Sequence, residues 1–221
     1  MYSAITYNII RTLSFMATFI SLDRSILVIQ QCPYYLVHSM HNALIVYYTY
    51  PDVINTYMRF NTIHTFPTNM NAICLCFALH FYHCILYWKR FRFDDWLHHG
   101  LMIGIALPIA LIYEAHTLVG YSLFFTTGLP GGIDYALLFC VRNGYMNRNT
   151  EKKVNEWMNT WIRAPGCISH ATATLLYVSM HRVQESLWAI IIMCLPAILV
   201  AWNGQYFMRQ VIRDAAIQMI E

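Results

Sequence analysis

The chain has 221 residues, of which 58% are hydrophobic and only 11% are charged. Soluble domains carry about a quarter charged residues, so this composition excludes an ordinary soluble domain and indicates a polytopic membrane protein. The net charge of +3 is small, and it comes from basic clusters in predicted loops, which argues against a nucleic-acid-binding face. The seven cysteines mostly lie in apolar runs, where we interpret them as packing residues.

Seven apolar segments are long enough to be membrane spans. The fifth contains LPGG at 129–132, and proline with two glycines predicts a helix break beside an interior space, with Asp134 turned inward. The alternative is a turn that joins two short interfacial helices. Polar loops are predicted after Pro51, as far as residue 69, and at 142–156. The predicted spans are residues 3–22, 34–50, 70–88, 97–113, 116–141, 157–180 and 185–208.

The basic residues lie unevenly between the two sides that seven spans would define. Only Arg59 and Arg182 fall on one side. Because cytoplasmic loops carry an excess of Lys and Arg, the other side is predicted to be cytoplasmic, with the C-terminus in the cytosol. The residues of that side are Arg24, Lys89, Arg90, Arg92, Arg142, Arg148, Lys152, Lys153, Arg209 and Arg213.

The stretch FRFDDWLHHGLMIG at 91–104 places two carboxylates before a histidine pair at the start of the fourth span. Ionisable groups inside a membrane are costly and indicate function. A histidine can act as a base or nucleophile, and a nearby carboxylate can orient it. We therefore predict that His98 and His99 lie at the cytoplasmic mouth of an interior pocket. Adjacent helical residues point about 100° apart, so at most one ring can aim squarely at that pocket.

Two further histidine pairs, HSMH at 38–41 and HFYH at 80–83, have spacing that puts both rings on one helix face. Together with His98 and His99 they predict a polar cluster. The alternative is that these rings hydrogen-bond neighbouring helices. A di-iron histidine box needs another histidine three residues before the pair, and Asp95 lies there instead, so no metal site is predicted.

Residues 72–104 resemble the TLC domain, the family of ceramide synthases and their non-synthase relatives. The resembling features are FALHFYHCILYW, the turn KRFRFDDW and the motif LHHG, and the last span is similar in its ending AWNGQYFMRQVIRD. The resemblance implies an all-α polytopic membrane bundle of about seven transmembrane helices, with a six-helix core around a lipid-holding cavity. It divides the chain into a first span and loop (1–33), a TLC-like domain (34–213) and a short cytosolic tail (214–221).

His98 and His99 match the pair that helps ceramide synthases transfer a fatty acyl group from coenzyme A to a long-chain base. The His-Asp pair of those synthases has no counterpart here, and Asp134 in FFTTGLPGGIDY is the one residue that matches their later acid. The expected function is therefore lipid metabolism or lipid binding by a TLC-type membrane protein. An acyl-CoA-dependent acyltransferase, a small-molecule transporter and a histidine-box membrane oxidoreductase are the alternatives.

This interpretation assigns catalytic roles to His98, His99, Asp95 and Asp134, and substrate-binding roles to His80, His83, Tyr82, Trp96 and His116. It implies no tightly bound cofactor, and acyl-CoA is the co-substrate only for the acyltransferase alternative. The expected partners are a membrane lipid or fatty-acyl ligand and the bilayer itself, without nucleic acid, and a homodimer is compatible with them. The resemblance places the protein in the endoplasmic reticulum or a related endomembrane.

Overall fold

The computed structural model describes residues 2–67, 69–113 and 116–220. It is 90% helical and has no strand among the described residues, which confirms the all-α prediction. The α-helices are α1 (Tyr2–Leu27), α2 (Pro33–Met58), α3 (Met70–Tyr87), α4 (Phe93–His98), α5 (Leu107–Tyr113), α6 (His116–Leu123), α7 (Leu129–Arg142), α8 (Arg148–Met158), α9 (Ala164–His181) and α10 (Leu187–Ile220). Short 3₁₀ turns occupy Phe60–Thr65 and Trp88–Arg90.

Three stretches of π-helix join consecutive α-helices without a turn. They are His99–Ala106 between α4 and α5, Phe124–Gly128 between α6 and α7, and Asn159–Arg163 between α8 and α9. The described chain therefore folds as seven long helical rods. They are α1, α2, α3, α4 with α5, α6 with α7, α8 with α9, and α10. Five helical segments are long and apolar enough to cross a membrane, as judged by length and composition: Ala4–Leu27, Met70–Arg90, Phe93–Ile112, Thr117–Arg142 and Leu187–Gln218.

Helix α2 does not end at Pro51, where the sequence predicted a loop. It continues to Met58, with Asp52 and Thr56 buried in its last turns. Proline removes one backbone N–H from the helix, but packing of the following turn against α6 holds the chain helical. Tertiary contact outweighs a local helix-breaking signal here, as it often does for helices in proteins.

The predicted polar loop at 142–156 is also largely helical, because α8 begins at Arg148. The Asn147 side chain caps this helix by accepting a hydrogen bond from the Asn149 N–H at 2.7 Å. Such a cap satisfies one of the backbone donors that a helix start leaves free. Glu151 and Asn155 on one face are buried, so the polar composition reflects an amphipathic helix and not a loop.

The two ends of the bundle differ in charge. At one end the loop after α1 is hydrogen-bonded to the loop after α7, and Tyr206 of α10 donates to Asp94 of α4 at 2.8 Å. At the other end the rings of His64 and His181 are 5.3 Å apart between centroids. Arg59 and Arg182 lie at this second end. The first end carries Arg24, Lys89, Arg90, Arg92, Arg142, Arg148, Lys152, Lys153, Arg209 and Arg213.

Candidate functional site

A cavity of about 390 Å³ lies inside the bundle, with walls from eight of the ten α-helices and from all three π-helical stretches. Its outer part is charged and open, because the lining side chains of Asp95 and Asp214 are 41% and 62% exposed. Its inner part is mainly apolar, where Leu107, Ala110 and Leu123 are buried, although Ser122 and His170 also line the cavity. The volume falls within the range of small-ligand sites, and polarity decreases inward from the basic end of the bundle.

Histidine side chains dominate the polar wall of the cavity. Ring centroids of His38 and His83 are 4.3 Å apart, those of His80 and His99 are 4.9 Å apart, and those of His98 and His99 are 5.8 Å apart. The fold thus brings the histidine pair to the 80–83 face, as expected from the spacing. The lining histidines are His38, His80, His83, His98, His99 and His170.

The histidines of the pair have different surroundings. The ring of His98 lies 5.9 Å from that of Phe207 in α10, and its Nδ1 is buried without a hydrogen-bond partner among the described residues. The ring of His99 is stacked on Phe91 at 4.9 Å and is only partly buried. Both histidines line the cavity, but His99 lies nearer its open part.

The three carboxylates at this end have different surroundings. Asp95 Oδ2 accepts a hydrogen bond from the Arg92 backbone N–H at 2.8 Å and so caps α4, whereas we expected Asp95 to orient a histidine. Asp94 accepts from Tyr206, as described above. Asp134 lines the cavity, as predicted, and its Oδ1 is buried without a partner among the described residues.

Two of the predicted substrate-binding residues lie away from the cavity. Tyr82 is fully buried, and its hydroxyl donates to Asp23 Oδ2 at 2.6 Å. Trp96 is 53% exposed and packs edge-on against Phe91 at 5.1 Å. The side chain of His116 lies outside the described residues. His80 and His83 are thus the predicted substrate-binding residues that reach the cavity.

The three π-helical stretches converge on the cavity, to which they contribute His99, Thr126 and Arg163 among other residues. Each is followed two residues later by a proline: Pro108, Pro130 and Pro165. Proline has no N–H and its ring collides with the carbonyl four residues earlier, and a widened turn relieves that collision. Stretches of π-helix occur frequently at functional sites, so their convergence supports a functional cavity.

The predicted break at LPGG is therefore wrong, because the helix continues from α6 through the π stretch into α7. Pro130 cannot donate to the Thr126 carbonyl. That carbonyl instead accepts a hydrogen bond from Arg163 Nη2 at 3.0 Å. Asp134 does face the interior, as expected, because the continuous helix turns it toward the cavity.

Arg163 is the main cavity residue that the sequence interpretation missed. Its Nη1 donates to Asn159 Oδ1 at 3.0 Å, and its guanidinium lies 5.5 Å from the centre of the Phe207 ring. The available signal was an ionisable residue inside a predicted span, which indicates an interior role. The sequence cannot reveal its partner Thr126, which belongs to a different rod.

Comparisons with protein-family models, with curated proteins and with solved structures find no match to this chain. Within the described residues, no three His, Cys, Asp or Glu side chains are arranged to hold a metal ion.

Proposed function

We propose that the protein is a multi-pass membrane protein in which all seven rods cross the bilayer, with the basic end in the cytosol. The α2 rod and the α8–α9 rod fall short of the hydropathy of a span because they carry polar residues. Many of those residues are buried inside the bundle, which is where a membrane protein keeps them. They include His38, His41, Asn42, Asp52, Glu151, Asn155, Asn159 and His170.

We further propose that the cavity binds a membrane lipid or fatty-acyl ligand, as in a TLC-type lipid protein. The observation that carries this proposal is the gradient from a histidine- and carboxylate-lined outer part to an apolar inner part. An amphiphile matches that gradient, with its polar group at the histidines and its chain toward Leu107 and Leu123. Its polar group would satisfy buried donors and acceptors that are otherwise costly in a membrane protein.

Native mass spectrometry of the purified protein, with identification of co-purified lipids, tests this proposal. We expect a defined lipid class to be retained, and His99→Ala to change its amount or identity. His181→Ala is the matched control, because His181 is exposed at the opposite end of the bundle, and it should retain the wild-type lipid profile. A profile that mirrors bulk membrane composition in all three proteins would contradict lipid binding in the cavity.

An acyl-CoA-dependent acyltransferase is the second candidate. Its support is the position of His98 and His99 on the cavity wall next to the open, charged end, where a water-soluble co-substrate can enter. We expect one of the two variants, His98→Ala or His99→Ala, to abolish turnover of the acyl-CoA while the protein still retains its lipid. Activity that survives in both single alanine variants would exclude this chemistry for the pair.

A further inference from the structure

His80 differs from the other clustered histidines in the way that its ring is held. Its Nδ1 lies 2.6 Å from the backbone carbonyl oxygen of Cys76, one turn earlier in α3. A carbonyl only accepts hydrogen bonds, so this nitrogen must carry the proton. In the neutral ring Nε2 therefore holds the free lone pair, and the hydrogen bond defines both the tautomer and the ring orientation.

Only some of the ring nitrogens in this cluster are open to the cavity. His38 has the same arrangement as His80, with Nδ1 2.6 Å from the Tyr34 carbonyl oxygen, but its Nε2 is completely buried. Both ring nitrogens of His83 and Nδ1 of His98 are buried in the same way. The His80 side chain, by contrast, is only partly buried and lines the cavity, and its Nε2 is not among the buried ring nitrogens that lack a partner.

His99 is the other open ring in the cluster. It lies 4.9 Å from the ring of His80 in an edge-on arrangement. No hydrogen bond among the described residues defines its tautomer. His80 is therefore the histidine that combines a defined tautomer with an open Nε2, and it lies in α3, outside the LHHG motif.

We propose that His80 is the proton-accepting residue of this cavity, with Nε2 receiving a proton from an O–H or N–H group at the polar end of the bound lipid. In this step the O–H or N–H bond breaks, its electron pair stays on the ligand atom, and a new N–H bond forms on His80. The positive charge on the ring strengthens the hydrogen bond from Nδ1–H to the Cys76 carbonyl. The identity of the ligand rests on the lipid-binding function proposed above, whereas the basic nitrogen of His80 does not.

Labelling of the wild-type protein with diethyl pyrocarbonate at neutral pH tests the open nitrogen without any substitution. The reagent transfers an ethoxycarbonyl group to a neutral imidazole nitrogen and releases carbon dioxide and ethanol. Peptide mass spectrometry then gives a rate for each histidine. Because sealed nitrogens react only after local opening, we expect His80 to react about tenfold faster or more than His38, its matched internal control.

Two results would overturn the inference. One is a labelling rate of His38 equal to that of His80. The other is an unlabelled His80 in a sample where the exposed His64 and His181 are labelled. Nitrogen-15 chemical shifts of histidine-labelled protein provide a second measurement, because they distinguish Nδ1–H from Nε2–H tautomers. We expect the Nδ1–H tautomer at His80, and the opposite tautomer would contradict the proposal.

Labelling before and after removal of lipid separates this inference from the proposed function. A bound lipid should slow the reaction of His80 several-fold and leave His181 unchanged. If no lipid is retained but His80 still reacts fast as the Nδ1–H tautomer, lipid binding fails and the basic nitrogen is upheld. If lipid is retained but His80 reacts as slowly as His38, the role of His80 fails and lipid binding is upheld.

Discussion

Gly120 shows how closely two helices approach each other in this bundle. A Cβ atom built on Gly120 would lie 1.7 Å from Oδ2 and 2.6 Å from Cγ of Asp52. Real Cβ atoms do not come that close to another heavy atom, and the Asp52 side chain is buried at 6% exposure. The contact of α2 with α6 thus requires glycine at this position.

We expect Gly120→Ala to lower the free energy of unfolding by about 1–3 kcal/mol, the usual cost of overpacking a close contact. Thermal unfolding in detergent, followed by circular dichroism, measures the effect. Gly100→Ala is the control, because a Cβ there meets nothing within 4 Å and alanine is the better helix former. Adding Asp52→Ala to Gly120→Ala should recover part of the loss, and no recovery would contradict the proposed collision.

Tyr82 provides a second test at the level of one side chain. Its hydroxyl and that of Tyr87 both donate to Asp23 Oδ2, so Tyr82→Phe should remove one donor from a buried carboxylate. We expect a loss of about 1–2 kcal/mol in unfolding free energy and an unchanged profile of retained lipids. Tyr47→Phe is the control for stability, because Tyr47 is 66% exposed. A changed lipid profile in Tyr82→Phe would restore the substrate-binding role predicted from the sequence.

Among the helices, the rod formed by α6, the π stretch and α7 shows how proline is tolerated at the cavity. The guanidinium of Arg163 takes the place of the N–H that Pro130 lacks and satisfies the carbonyl of Thr126. A buried carbonyl without a partner costs free energy comparable to a lost hydrogen bond. This contact therefore links two rods through a backbone group that local sequence leaves free.

We expect Arg163→Met to lower the unfolding free energy by about 1–3 kcal/mol, because it leaves the Thr126 carbonyl unpaired. In a Pro130→Ala background the restored N–H can pair with that carbonyl, so the same substitution should cost less by about 1 kcal/mol. Chemical unfolding of the four proteins gives this coupling. Arg182→Met, which removes a partly exposed ion pair with Glu185 at the opposite end of the bundle, should cost less. Equal costs in both backgrounds would exclude the compensation.

The sequence predicts where the helices of this fold lie better than it predicts where each helix ends or continues. Long apolar runs predict the helices, and the i, i+3 histidine pairs predict which face of α3 meets His98 and His99. The break at Pro130 is predicted wrongly because the compensating partner, Arg163, lies 37 positions from Thr126. The end of α2 at Pro51 is predicted wrongly for a similar reason, because the following turn of α2, at Asp52, packs closely against Gly120 of the distant helix α6. Helix-breaking signals are read from neighbouring residues, whereas the contacts that keep these helices continuous come from residues far along the chain.

For the whole molecule, the two ends of the bundle lead to a topology prediction. Short inserts that contain an Asn-X-Thr acceptor should be glycosylated when placed at 183–186, and not when placed at 143–147. The reason is that the second loop lies at the basic end, which is expected to remain in the cytosol. Mobility shifts reversed by a glycosidase measure the modification. Glycosylation at 143–147 would contradict the proposed orientation, and glycosylation at both positions would exclude a single orientation.

The lengths of two rods have a consequence for access to the cavity. Helix α10 has 34 residues, which corresponds to about 50 Å, whereas the hydrocarbon core of a bilayer is about 30 Å thick. The rod of α8 and α9 is equally long, and the two are joined at the basic end by an ion pair between Lys152 and Asp214 at 3.9 Å. If both rods cross a bilayer as proposed, with the basic end in the cytosol, their surplus turns project beyond the hydrocarbon core into the water. A ligand that approaches the cavity from that end would then pass between two protruding helices before it reaches the level of the lipid headgroups.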